Sequence, residues 1–402
     1  MTSTPMERCI NEALPEEVFR VIFEEHAKLE WRAPVIDGRV CHQWRQIILR
    51  SPRAWAYLEI RWYCKPTPSQ LRQWLGRSGS VPLHVQLMEW ILGTEEVLHP
   101  HCERIKSMTL YGGFLAFLHN RAFSILQSLT IKAWYSNVRV VHWSTCCAMP
   151  ELRSFRASNI SVDALPSNIF PPLRDLTLYQ VKDCDFIIRN SYHSLTSLML
   201  DRISLHYTPE SLEFPSLTFL SLSDVQNIKR RMHVPALTTY HEKRIEEEES
   251  FSMPLPFLIE YGIYLHHDNP PLNVTKLHQC YPNISQLSVR AHPSAVKTLL
   301  HSLSGHPTAL PVLSILAVGE IYGYTKYSGE DIDSMMKDVF VRNMASCVKM
   351  ELCFDGMTRL PLYFAYVRVY INEGRSKLTS TLRIQIVPIE RLSFVLGLWP
   401  PS

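Results

Sequence analysis

Two different spacings of hydrophobic residues divide this chain. In about the first sixty residues, apolar side chains recur three and four positions apart, which predicts amphipathic helices. From about residue 102 to 318 the pattern becomes Leu-x-x-Leu-x-Leu, whose last two apolar positions alternate as on a short strand with one buried face. The chain is therefore predicted to begin with helices and to continue as repeated short strands.

Two helices are predicted in the N-terminal segment. The first begins at Leu14-Pro15-Glu16-Glu17, because proline suits the first turn and the two carboxylates face the positive end of the helix dipole. The second begins near Val40, and Ser51-Pro52 ends it. Their apolar stripes consist of Val18, Phe19, Ile22 and Phe23 in the first helix and of Val40, Cys41, Trp44, Ile47 and Ile48 in the second.

The N-terminal segment carries more large apolar side chains than so small a unit can easily bury. Its aromatic residues are Phe19, Phe23, Trp31, Trp44, Trp55 and Trp62. A segment of this size has a modest core, so the surplus indicates a surface for a partner. Alternatively, the surplus packs against the rest of the same chain, and periodicity does not separate these possibilities.

The repeated unit is an aromatic or aliphatic residue, often followed by proline, and then Leu-x-x-Leu-x-Leu. Ten copies begin 20 to 29 residues apart. Their first residues are Cys102, Phe123, Met149, Phe170, Tyr192, Phe214, Val234, Leu255, Tyr281 and Leu310. One such unit cannot bury its apolar face, whereas stacked copies can, so the pattern predicts a solenoid.

Composition narrows the possible partners and compartments. Lys and Arg number 41 against 38 Asp and Glu, so neither a nucleic acid nor a membrane is expected to bind. The 10 cysteines are scattered and the N-terminus lacks a signal-peptide pattern, which favours reduced thiols in the cytoplasm or nucleus. The uncharged run 298–319 contains prolines and histidines and is a poor membrane span.

No motif in the sequence indicates catalysis or a cofactor. His142-x-x-x-Cys146-Cys147 and His266-His267-Asp268 each lack a second ligand pair at metal-site spacing, so no metal is expected. The sequence has no phosphate-binding loop, no dinucleotide-binding motif and no G-x-S-x-G. We therefore expect a protein that is not an enzyme.

Short motifs in the N-terminal segment resemble the F-box family. In chain order they are Leu14-Pro15-x-Glu17-Val18, Ile22-Phe23, Val40-Cys41-x-x-Trp44-Arg45 and Ser51-Pro52-x-x-Trp55. Trp31-Arg32-Ala33-Pro34 and Trp74-Leu75-x-Arg77-Ser78-Gly79-x-x-Pro82-Leu83 are similar to an F-box-like group found in mushroom-forming fungi. Asp37-Gly38-Arg39 departs from the family, which has good helix formers there, so the second helix is expected to start late and the adaptor contact to be weaker.

The F-box resemblance implies a Skp-type adaptor as partner and, through it, a cullin scaffold. It assigns nine residues to the adaptor interface or to the small core that shapes it: Leu14, Pro15, Val18, Ile22, Phe23, Val40, Cys41, Trp44 and Trp55. Such an interface would bury an apolar helical face in a groove of the partner. It requires no catalytic residue.

The repeats resemble a degenerate leucine-rich-repeat solenoid, with Ile160, Val181, Ile203 and Val225 where that family often has asparagine. The resemblance implies a concave face that holds an unknown protein target. Residues predicted on that face are Tyr111, Lys132, Arg156, Tyr179, Asp201, Phe219, His241 and Arg290. For any one of them, an ordinary solvated strand position remains the alternative.

These patterns together predict an α/β protein. A small all-α F-box module at 1–62 is followed by a connector helix and N-terminal solenoid cap at 63–100, a horseshoe-shaped solenoid at 101–355 and a C-terminal cap at 356–402. The predicted function is substrate recognition in an SCF-type (Skp-cullin-F-box) ubiquitin ligase. The alternative is a protein-interaction scaffold whose F-box-like module packs internally.

Overall fold

The computed structural model describes residues 14–61, 66–88, 93–111, 115–118, 121–133, 139–141, 149–162, 171–205, 211–225, 228–244, 254–265, 272–306, 308–319, 334–335, 337–339, 342 and 351–355. The chain divides into two compact units, Met1–Ser191 and Tyr192–Ser402. The division falls where the fifth repeat copy begins at Tyr192. The predicted domain boundaries stay predictions, and the predicted cap at 356–402 lies outside the described residues.

The first unit begins with three helices: α1 (Glu16–Leu29), α2 (Ala33–Asp37) and α3 (His42–Leu49). The predicted start of the first helix is confirmed, because Pro15 is extended and α1 follows it. The second predicted helix starts later than Val40, because Cys41 caps it: the Trp44 backbone N–H donates to the Cys41 Sγ at 3.4 Å. A 3₁₀ turn at Pro52–Trp55 follows α3.

The segment 1–62 is not entirely helical, so the all-α module predicted there is not shown. Strand β1 (Tyr57–Ile60) pairs in parallel with β2 (Leu83–Leu87). Leu58 and Ile60 are buried and alternate with more exposed neighbours, which is the period of a strand and not of a helix. The helices of the first unit therefore lead directly into its sheet.

The rest of the first unit is a parallel sheet with short helices. In chain order its elements are α4 (Pro68–Arg77), β2, α5 (Thr94–Leu98), β3 (Ile105–Tyr111), β4 (Ser128–Lys132), β5 (Arg139–Val141), β6 (Ser154–Ser158), β7 (Ile160–Val162), β8 (Asp175–Tyr179) and α6 (Asp185–Ser191). The sheet order is β1-β2-β3-β4-β6-β8, and β5 pairs separately with β7. The inward residues are aliphatic or aromatic and form a continuous core layer.

The second unit has the same construction. In chain order its elements are β9 (Ser197–Asp201), β10 (Leu212–Glu213), β11 (Phe219–Ser223), β12 (Met232–His233), β13 (Thr239–Arg244), β14 (Glu260–Leu265), α7 (Val274–Cys280), β15 (Gln286–Arg290), α8 (Pro293–Gly305), β16 (Ile315–Gly319) and β17 (Glu351–Asp355). Its sheet order is β9-β11-β13-β14-β15-β16-β17, all parallel, and β10 pairs with β12. Each of the ten repeat copies thus supplies one parallel strand, as predicted.

The turns after the strands do not need the missing asparagines. Ile160, Val181 and Ile203 are at most 2% exposed and extend the apolar core. The backbone there is satisfied by further parallel pairing, since β5 pairs with β7 and the Lys182 N–H donates to the Ile160 carbonyl at 3.1 Å. Apolar burial therefore replaces a side-chain hydrogen-bond ladder in these turns.

Candidate functional site

Exposed apolar side chains are concentrated on the first three helices. Nine of the twelve large hydrophobic side chains that are exposed in the described part of the chain lie between residues 14 and 49. These nine, which we call the N-terminal apolar surface, are Leu14, Val18, Val21, Ile22, Leu29, Val35, Ile36, Val40 and Leu49. Val18 and Ile22 are spaced four apart and so share one side of α1, while Leu14 precedes that helix.

The residues that the F-box resemblance implicates form an exposed and a buried group, with two half-buried residues between them. Leu14, Pro15, Val18, Ile22 and Val40 are exposed, Cys41 and Trp44 are half-buried, and Phe23 and Trp55 are buried. The exposed Val21, Leu29, Val35, Ile36 and Leu49 were not predicted. Their only signal in the sequence was that they are large aliphatic residues in or beside predicted helices.

Three aromatic side chains pack between α1 and α3 beneath this surface. The rings of Phe19 and Phe23 on α1 lie 5.6 and 5.1 Å from the ring of Trp44 on α3, and 6.0 Å from each other. This aromatic cluster joins α1 to α3. At 3.6 residues per turn, Val21 projects from the side of α1 opposite the cluster, whereas Val18 and Ile22 lie beside the cluster.

Trp55 attaches the helices to the next part of the chain. It is 2% exposed, and its Nε1 donates to the Ile48 carbonyl at 2.9 Å. Its ring meets the ring of Trp74 on α4 edge-on, with 4.7 Å between the ring centroids. The ring of Trp31 also packs against Trp74, with 5.3 Å between the centroids. Part of the aromatic surplus is thus covered by this same chain.

The turn that departs from the family pattern is held by polar contacts. Asp37 is 8% exposed, and its carboxylate lies 2.9 Å from the Nδ1 of His26 on α1. Arg45 Nε on α3 donates to the Gly38 carbonyl at 2.8 Å. A side chain at Gly38 would place its Cβ 2.9 Å from the Pro34 carbonyl oxygen, so glycine suits this close approach.

Four residues that the repeat pattern predicted for the target surface lie on neighbouring strands of the first unit. Tyr111 ends β3 and pairs in register with Lys132 of β4, whose ammonium is 5.8 Å from the tyrosine ring centroid. Arg156 of β6 is exposed, and Tyr179 at the end of β8 pairs with Ser158. All four occupy outward positions that alternate with buried ones.

The other four predicted residues belong to the second unit. The rings of Phe219 and His241 meet edge-on at 5.5 Å, and His241 Nε2 lies 3.2 Å from a carboxylate oxygen of Glu260. Arg290 pairs in register with Tyr264 of β14. Asp201, by contrast, is 6% exposed, and burial raises the pKa of its carboxyl, so it offers little surface to a partner.

Gly262 makes room for the His241 ring, and its replacement by alanine is expected to disturb this group. An added Cβ would lie 2.7 Å from His241 Cδ2. We expect Gly262→Ala to displace the ring from Glu260 and to destabilise the second unit by about 1–3 kcal/mol. The His241 ring resonances and urea denaturation measure both effects. Gly305→Ala is the control, because nothing lies within 4 Å of its added Cβ; equal effects of the two changes would contradict the expectation.

The titratable groups of the described residues do not form a reactive centre that we can assign. Burial raises the pKa of the Cys102 thiol to about 11 and that of the Cys184 thiol to about 12, so both stay protonated near neutral pH. Among the described residues, no cluster of three or more His, Cys, Asp or Glu could hold a metal. His142, Cys146, Cys147 and the stretch 266–268 lie outside those residues.

Comparisons with known proteins add little. No protein-family model matches the sequence, and no curated protein matches it. Among solved structures, the chain is similar to one in a crystal structure of the Rad7 and Elc1 complex in yeast, with 12% identity, a TM-score of 0.38, and coverage of 82% of this chain and 97% of that one. A likeness this distant carries no argument. In the described residues, no helix is long and apolar enough to cross a bilayer.

Proposed function

We propose that this protein recruits substrates to an SCF-type ubiquitin ligase, binding a Skp-type adaptor through its N-terminal helices and a target protein through its repeats. The observation that carries the proposal is the N-terminal apolar surface, which lies on the segment whose motifs resemble an F-box. A cluster of this kind is costly to expose to water and is typical of a docking site. The adaptor, linked to a cullin, is the proposed occupant.

The exposed and the buried residues would have different roles at such a site. The exposed aliphatic residues Val18 and Ile22 on α1 would enter a groove of the adaptor and lose their contact with water. Phe23 and Trp55 are buried within the chain and would act by fixing the positions of the helices. The adaptor interface is thereby preorganised, which lowers the entropy cost of binding.

The protein needs no catalytic step of its own in this role. A target held on the repeats is kept close to the ubiquitin-transferring enzyme that the cullin recruits, and the raised effective concentration favours modification of the target's lysines. We propose the cytoplasm, the nucleus or both as the site of action, in agreement with the scattered cysteines.

Replacing Val18 and Ile22 with glutamate is expected to abolish adaptor binding without unfolding the protein. Both side chains are at least 40% exposed, so the folded chain tolerates the charges, but a groove that buries them would not. We expect at least about a hundredfold loss of affinity, as for two hot-spot residues. Co-purification of tagged full-length chain with a Skp-type adaptor, followed by calorimetric titration, measures the change.

The matched control is Phe257→Glu, which places a charge on an exposed apolar residue of the second unit, 64% exposed. It should leave adaptor binding intact. If the unchanged protein fails to bind the adaptor, or if Val18→Glu/Ile22→Glu binds as tightly, the proposal is wrong. The full chain is required, because residues 1–62 alone would lose both the β1–β2 pairing and Trp74.

A second candidate function is an interaction scaffold that never meets an adaptor. The packing of Trp31 and Trp55 against Trp74 favours it, because this contact already ties the helices to the rest of the first unit. Under this view the N-terminal apolar surface has no Skp-type partner. The same titration separates the two functions: absence of binding by a well-folded chain would favour the scaffold.

A further inference from the structure

The outward positions of β3, β4 and β6 carry hydroxyl groups and cations and no carboxylate. The three strands pair in register, so these side chains form rows across the sheet. The residues, which we call the strand face, are Ser107, Thr109, Tyr111, Ser128, Thr130, Lys132, Ser154, Arg156 and Ser158. Serine and threonine hydroxyls can donate hydrogen bonds to an anion, as can lysine and arginine.

The two cations of the strand face are neighbours. Lys132 pairs in register with Ser158, and Arg156 pairs with Thr130, so the cations lie on adjacent strands, two positions apart. Side chains at such diagonal positions lie close enough for one extended ligand to contact both. Within the described part of the chain, neither forms an ion pair; the Lys132 ammonium lies near the Tyr111 ring instead.

Further cations stand near the starts of the strands. Lys106 is the second residue of β3, and Arg153 and Arg174 come directly before β6 and β8. The nearby carboxylates include Glu59, whose charge acts on Tyr111, Glu151, 3.5 Å from Arg153, and Asp175 at the start of β8. Charges of both signs therefore stand around the strand face, whereas the nine positions of the face itself carry only the two cations Lys132 and Arg156.

We propose that the strand face binds an extended acidic segment of the target, whose Asp or Glu carboxylates contact Lys132 and Arg156 and accept hydrogen bonds from the hydroxyls. This inference rests on the proposed function, since the target is what that function recruits. β3 and β6 are about 10 Å apart, so three or four residues of an extended peptide cross them. Because Lys132 and Arg156 lie on adjacent strands two positions apart, neighbouring acidic residues of one extended segment can contact one cation each.

The test is the fluorescence anisotropy of a labelled peptide of alternating Glu and Ser, titrated with the full chain. We expect binding that weakens with salt and that a peptide with Gln in place of Glu does not show. Lys132→Gln/Arg156→Gln should weaken binding about three- to thirtyfold, whereas Lys132→Arg/Arg156→Lys should retain it. The matched control is Arg72→Gln/Arg189→Gln, which removes two exposed arginines outside the strand face and should change the affinity by less than about twofold.

Three results would overturn the inference: equal binding of the Gln peptide, an equal loss in the control variant, or tighter binding of an oligothymidylate with the same dependence on Lys132 and Arg156. Adaptor affinity, measured on Lys132→Gln/Arg156→Gln, should be unchanged. A chain that binds the acidic peptide but no adaptor would refute the proposed function alone. A chain that binds the adaptor but not the peptide would refute this inference alone.

Discussion

Replacing Trp55 with alanine is expected to lower the free energy of unfolding of the first unit by about 3–5 kcal/mol. The ring is 2% exposed and meets Trp74 edge-on at 4.7 Å. The Arg77 guanidinium lies 4.4 Å above its centroid, and its Nε1 donates to the Ile48 carbonyl. Alanine would leave a cavity between α3 and α4 and remove one of the hydrogen bonds to the Ile48 carbonyl, and neither helix could close the gap without losing other contacts.

The half-buried Trp44 supplies the comparison. Its ring packs against Phe19 and Phe23 but remains partly exposed, so Trp44→Ala should cost less, about 1–2 kcal/mol. Urea denaturation followed by circular dichroism measures both variants, and hydrogen exchange of the α1 and α3 amides locates the change. A loss for Trp55→Ala no larger than that for Trp44→Ala would contradict the assigned role of Trp55.

The repeat pattern predicted the strands of both units because its physical cause is local. When every second residue of a short strand is leucine or a similar residue, these side chains are buried only if neighbouring copies of the repeat stack against them. Leu129 and Ile131, for example, are fully buried, while Thr130 between them is more exposed. The strand β1 was missed because Leu58 and Ile60 stand alone, without the preceding leucine and proline that mark the other copies.

The N-terminal helices were only partly predictable. The sequence placed the start of α1, but the start of α3 depends on a cap from the sulfur of Cys41, a residue type that seldom caps helices. Periodicity also identifies an apolar stripe without saying what covers it. Phe23 is buried by its own chain and Ile22, one residue before it, is 47% exposed; only tertiary packing distinguishes them.

Replacing Glu242 with alanine is expected to lower the free energy of unfolding of the second unit by about 3–5 kcal/mol. Its side chain is 2% exposed and lies on β13, in register with Leu222 and Ile263, where the core is otherwise aliphatic. Removing it would deprive a half-buried cation, Lys229, of its ion-pair partner. The sequence could not show this, because a glutamate thirteen residues from a lysine indicates nothing by its spacing.

Two tyrosines complete the group around Glu242. The hydroxyl of Tyr240 donates to the carboxylate at 2.8 Å, and that of Tyr261 also donates to it. Burial raises the pKa of Tyr240 well above its ordinary value, so its hydroxyl keeps the proton that it donates. Alanine at position 242 would remove the acceptor of both hydroxyls as well as the partner of Lys229, and both tyrosines are buried.

The decisive comparison replaces the whole polar group with apolar residues of similar size. Lys229→Met/Tyr240→Phe/Glu242→Leu/Tyr261→Phe should be within about 2 kcal/mol of the unchanged protein, because it removes the desolvation cost together with the attraction. Urea denaturation of this variant, of Glu242→Ala and of the unchanged chain measures the difference. If Glu242→Ala is as stable as the apolar replacement, leaving Lys229 without its ion-pair partner costs no stability. The polar group would then contribute packing alone.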